Sequence, residues 1–95
     1  MPAYVIVDLT VTDPPAMEEY RKQVPATLTP YGGRFLVRGG THHTVEGDWK
    51  PNRLVILEFP TMDHAKRWYD SEEYREPKAI RLKASKANLI IVEGA

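Results

Sequence analysis

Tyr4-Val5-Ile6-Val7-Asp8-Leu9-Thr10-Val11-Thr12-Asp13-Pro14-Pro15 contains a strand, its stop and the opening of a helix. The run from Tyr4 to Val11 is rich in β-branched residues and too short for a lone helix, so it reads as a first strand. Asp13 can accept a hydrogen bond from the first free helical N–H groups. Pro14 and Pro15 fit an opening turn, where their missing N–H groups cost nothing. Beyond them Met17, Tyr20, Val24 and Leu28 recur at helical spacing, opposite Glu18, Glu19, Arg21 and Lys22. The buried stripe is Met17, Tyr20 and Val24, and Pro25 is expected to kink or end the helix.

Further along, Gly32-Gly33 closes this unit and Arg34 to Arg38 alternates as a second strand before Gly39-Gly40. Thr41 to Asn52 reads as a long connection with a short strand extension and a turn. Arg53 to Phe59 is the third strand, and Thr61 caps a helix whose apolar side is Met62, Ala65, Trp68 and Tyr69. Pro77 is expected to break this second helical region, with Lys78 to Ala84 resuming it. Asn88 to Glu93 is the fourth strand. The order β-α-β-β-α-β is that of a ferredoxin-like α+β sandwich, a single domain over residues 1–95 with both helices on one face of a four-stranded antiparallel sheet.

Period two divides the strands into faces. Val5, Val7, Leu9, Phe35, Val37, Val55, Leu57 and Phe59 form an apolar face that should carry the helices. Tyr4, Ile6, Asp8, Arg34, Leu36, Arg38, Leu54, Ile56 and Glu58 form a second face, aliphatic and charged together, that no chain segment remains to cover. Leaving Ile6, Leu36, Leu54 and Ile56 in water forfeits roughly 1.5–3 kcal/mol per side chain. A homodimer through this face is therefore expected, the alternative being an ordinary solvated sheet face. The faces of the fourth strand stay open, since Leu89-Ile91 and Ile90-Val92 are equally apolar.

Composition narrows the function classes. Thirteen basic residues balance thirteen acidic ones and the pI is near 6.8, so the electrostatic footprint of a nucleic-acid or anionic-membrane binder is missing. There is no cysteine, hence no disulfide, thiol nucleophile or Cys-based metal site. The apolar start carries Asp8 and no basic lead, and reads as neither signal peptide nor membrane span. A cytoplasmic protein is the expectation. His42 and His43 point to opposite faces of an extended chain, and His64 has no ligating companion, so no metal is expected. Neither glycine pair fits a dinucleotide fingerprint or a phosphate loop, and no cofactor is expected.

Candidate chemistry lies on the second face. With strands one and three taken as adjacent and parallel, Asp8 and Glu58 become neighbours, with Arg34 close to Glu58 and Arg38 further along. Such a group could bind a polar ligand or raise one carboxylate's pKa for proton transfer; it could equally be a set of structural ion pairs. Trp49, on a loop, can cap a pocket or pin that loop. Tyr74 and Arg81 flank Pro77 and can reach a cleft.

Gly32-Gly33-Arg34-Phe35-Leu36-Val37-Arg38-Gly39-Gly40, Glu46-Gly47-Asp48-Trp49, Leu57-Glu58-Phe59-Pro60, Ala65, Trp68-Tyr69, Ser71-x-Glu73-Tyr74 and Arg81 together resemble the domain of unknown function 1330 family. The resemblance spans nearly the whole chain. It implies the dimeric α/β-barrel superfamily and a homodimer with facing sheets, but no reaction. Superfamily relatives include cofactor-free monooxygenases, isomerases and lyases, an analogy of fold only. Three functions follow as expectations: a small-molecule-binding homodimer, a cofactor-independent enzyme using Asp8 or Glu58 as acid–base group with Arg34 or Arg38 steadying an anionic oxygen, and a structural or regulatory dimer.

Overall fold

The computed structural model describes residues 1–95 and places three helices on one face of a four-stranded sheet. In chain order the elements are β1 (Ala3–Val11), α1 (Pro14–Leu28), a 3₁₀ turn (Thr29–Tyr31), β2 (Arg34–Arg38), β3 (Arg53–Phe59), α2 (Met62–Tyr69), α3 (Glu72–Ala84) and β4 (Ser85–Glu93). The strand order across the sheet is β2-β3-β1-β4. Asp13 caps α1 by accepting the Ala16 N–H at 3.3 Å, and Thr61 and Ser71 do the same for α2 and α3. No helix is long and apolar enough to cross a membrane.

Every strand pair is antiparallel, which corrects the parallel reading of β1 and β3. The crossover through α1 makes β1 and β2 point the same way, and the next connection reverses β3, so β3 must run against β1. Val5 then lies opposite Leu57 and Val7 opposite Val55. On the other side Val5 faces Ile91 and Val7 faces Leu89. Leu89 and Ile91 therefore join the helix-covered face, where they pack on the core, and Ile90 and Val92 join the open one.

A β-bulge alters β2. Phe35 pairs with Leu57, but Val37 pairs with Ile56 and Arg38 with Val55. One extra residue at Leu36 inverts the alternation beyond it. Val37 shares the open face with Ile56, and Arg38 turns toward the helices, where its guanidinium lies 4.3 Å from the centre of the Phe35 ring. Both positions reverse the simple alternation.

Other departures are local. The break in the second helical region falls at Asp70 and Ser71, and α3 runs through Pro77 without interruption. An interior proline costs about 3 kcal/mol in an isolated helix. Here Tyr74, Pro77, Arg81 and Ala84 are buried along one side of α3, which packs against α1, and that packing outweighs the lost bond. Pro25 is likewise carried inside α1. Thr41 to Asn52 contains no strand, and β4 begins at Ser85, directly after α3.

The core joins the helices through aromatic rings. Trp68 is stacked on Tyr74 with centroids 4.0 Å apart and lies 5.4 Å from Phe59. Its indole N–H donates to Thr27 Oγ1 at 3.0 Å, and the Thr27 hydroxyl donates to the Val24 carbonyl at 2.7 Å. Thr27→Val keeps the volume but leaves a buried indole N–H without an acceptor. It should lower stability by about 1–3 kcal/mol, read as a reduced urea midpoint; an unchanged midpoint would show that the bond contributes nothing.

Candidate functional site

Between α1, α3 and the sheet lies a narrow cleft with an internal volume of about 40 Å³ that opens to solvent at its mouth. Its walls are apolar: Val7 and Leu9 from β1, Met17 and Val24 from α1, Val55 and Leu57 from β3. Into this wall project two tyrosines, Tyr20 and Tyr74, and four arginines, Arg21, Arg38, Arg53 and Arg81. No Asp or Glu lines it.

Arg81 is the deepest cation, 3% exposed. Its Nε donates to the Tyr74 hydroxyl at 3.2 Å, and the Tyr74 and Tyr20 hydroxyls are 2.7 Å apart. Helical spacing places Tyr74 and Arg81 on one side of α3, two turns apart, and Tyr20 reaches them from α1. Burial and the adjacent Tyr74 push the Tyr20 phenol far above its ordinary value, and burial raises Tyr74 as well. Both phenols are protonated at neutral pH. For Arg81, burial works against the charge and the hydrogen bond to the Tyr74 hydroxyl favours it; its pKa is not lowered, and the guanidinium stays charged at neutral pH. None of the ion pairs in the chain includes Arg38, Arg53 or Arg81. A buried cation without an anionic partner is costly, and the cost is relieved when a ligand brings the anion.

The other expected site residues lie on the open face, where the antiparallel register separates them into two pairs. Asp8 stands opposite Leu54 and Glu58 opposite Tyr4, so the two carboxylates sit at different ends and are not neighbours. Glu58 takes both Nε (2.7 Å) and Nη2 (2.6 Å) of Arg34 on one oxygen. Asp8 accepts the Trp49 indole N–H at 2.9 Å and the Asn52 backbone N–H at 3.1 Å, which ties the β2–β3 loop down over the sheet. Trp49 lies there beside Ile6 and Ile90. Of the residues singled out, Arg38, Tyr74 and Arg81 share the cleft, whereas Asp8, Glu58, Arg34 and Trp49 do not. His42 and His64 bond to the Pro51 carbonyl and the Thr61 hydroxyl.

Sequence reasoning passed over Tyr20, Arg21 and Arg53. Tyr20 reads from the sequence as part of the apolar stripe of α1, where a phenol looks like core. Arg53 left a usable signal: it shares the parity of Val55, Leu57 and Phe59, and a cation in register with an apolar face is anomalous.

The two raised phenols set an alkaline limit on stability. Their folded-state pKa values lie above the ordinary 10.0, so the unfolded chain loses those protons first and binds fewer of them. Their stabilising contribution is complete below pH 10.0 and declines as pH rises beyond it. Urea midpoints measured from neutral pH upward should fall past this point, and fall less steeply in Tyr20→Phe; identical profiles would remove the phenols as the cause.

Comparison with known proteins agrees with the fold. Among solved structures, a protein of unknown function, RPA0582 from Rhodopseudomonas palustris, superposes with a TM-score of 0.77 at 17% identity, covering 99% of this chain and 82% of its own. SnoaB, a cofactor-independent oxygenase from Streptomyces nogalater, gives 0.65 at 12% identity over 99% of this chain and 93% of its own. The de novo designed protein Foldit4 gives 0.62 at 12% identity over the whole of both chains. Likeness at this level carries the fold alone. No curated protein matches. The family model described as Domain of unknown function (DUF1330) matches residues 2–95, and the chain belongs to that family, with a ferredoxin-like α+β fold.

Proposed function

We propose that the protein is a homodimeric small-molecule-binding domain whose ligand combines an apolar body with a carboxylate or similar anionic oxygen, held in the helix–sheet cleft. The observation that carries this reading is the convergence of guanidinium groups on a cleft with no acidic lining. Arg81, backed by Tyr74 and Tyr20, receives the anion, and Phe35, Met17 and Val55 contact the body. The absence of cysteine suits a cytoplasmic setting.

A panel of aromatic and aliphatic monocarboxylates and their neutral amides, tested by calorimetry, distinguishes this reading. Acids should bind and amides should not. Arg81→Gln should weaken acid binding by about tenfold or more, since a charged hydrogen bond is worth about 1.5–3 kcal/mol. Glu58→Gln, on the other face, should leave it unchanged. Failure of every acid to bind would reject the reading.

The dimer rests on the open face. Ile90 is 58%, Leu36 46% and Val92 41% exposed in the protomer, beside Ile6 and Ile56 in register. A second copy would cover them. Light scattering on the eluting protein should give twice the chain mass, and Ile90→Glu should shift it toward the monomer. A wild-type monomer at micromolar concentration would reject the dimer.

A second reading is a cofactor-independent oxygenase or isomerase. It is favoured by two protonated phenols and a guanidinium gathered around one point, a grouping able to stabilise an oxyanion that develops on a bound substrate. In that reading Tyr74, and not Asp8 or Glu58, faces the reacting atoms, and Tyr74→Phe would reduce turnover more than binding.

A further inference from the structure

The cleft's cations form two groups. Arg81 is deep and donates to the Tyr74 hydroxyl, which in turn meets that of Tyr20. Arg21, Arg38 and Arg53 come from three different elements and meet near the surface: Arg38 Nη2 donates to the Arg21 carbonyl at 3.3 Å, and the Arg53 guanidinium lies against Gly39. Gly39 is required there twice over, because its φ is +72° and a Cβ would collide with Arg53.

Three like charges in one place oppose folding unless something neutralises them. Only Glu18 does so within the chain, through Arg21 Nη1 at 3.0 Å, at an exposed position. Arg38 and Arg53 have no carboxylate, and Arg21 Nε is buried with no hydrogen-bond partner. The bulge at Leu36 is what brings Arg38 here: without the extra residue it would sit on the open face with Arg34. Burial, and then the nearness of Arg21 and Arg38, push the Arg53 pKa down, as mutual repulsion requires.

We infer that Arg21, Arg38 and Arg53 form a second anion subsite at the cleft mouth, so that the ligand carries two acidic groups at opposite ends of an apolar body. This rests on the cleft being the ligand site, with Arg81 taking the inner acid. Recognition at both ends by guanidinium groups selects length as well as charge, because each fork has a fixed place and orientation.

The test uses ω-phenylalkanoates of one to three methylenes and their para-carboxylated counterparts, titrated calorimetrically into the dimer or monomer that the wild-type chain forms. In the wild type the best diacid should bind at least about tenfold more tightly than its monoacid, and the ratio should fall toward one in Arg38→Gln/Arg53→Gln. Circular dichroism verifies that this variant is folded, and the wild-type ratio stands without it. Equal binding of monoacid and diacid by the wild type, or a preference that persists in the variant, would overturn the mouth subsite while leaving the Arg81 site intact. Failure of both series to bind would overturn the subsite together with the reading beneath it.

Discussion

The stack of Trp68 on Tyr74 is the contact on which the helical layer depends. Trp68 comes from α2 and Tyr74 from α3, and hydrogen bonds run from both to α1, through Thr27 and Tyr20. Phe59 ties the same rings to the sheet. Two aromatic residues thereby fix three helices against β3, in a chain short enough to bury only roughly two-thirds of the surface its unfolded state exposes. The Trp68 indole N–H and the Tyr74 hydroxyl each have a partner, so these two rings are buried without stranded donors.

That arrangement also sets where the layer stops being filled. Toward Phe59 and Ala65 the rings and aliphatic side chains close the core. Toward Leu9 and Val55 the space is taken by arginines, whose stems can line an apolar wall while their heads collect at its polar end. The cleft is thus a part of the core in which hydrophobic side chains have been replaced by cations, and the protein tolerates this because the Tyr20–Tyr74–Arg81 bonds hold the innermost charge in place.

The open face follows different physics. Its charged residues are spent on one another and on a loop: Arg34 on Glu58, Asp8 on Trp49 and Asn52. Such bonds give register and loop position but contribute modestly to stability where they are exposed. What remains between them is aliphatic, which is why we propose this face for a second copy and the helix-covered face for a ligand.

Local residue chemistry alone determined the four strands, the capped starts of α1 and α2, the β-α-β-β-α-β order and the faces of β1 and β3, because propensity and period two act over a few residues. Even Arg53 in the cleft was implicit in its parity with Val55 and Leu57. Pairing between distant strands decided the rest. Strand direction separated Asp8 from Glu58, and the bulge at Leu36 carried Arg38 to the opposite face; both depend on which residue of one strand meets which residue of another. The place of Tyr20 beside Tyr74 and Arg81 was likewise decided by the packing of α1 on α3, since nothing within fifty positions of Tyr20 tells its hydroxyl what it will meet.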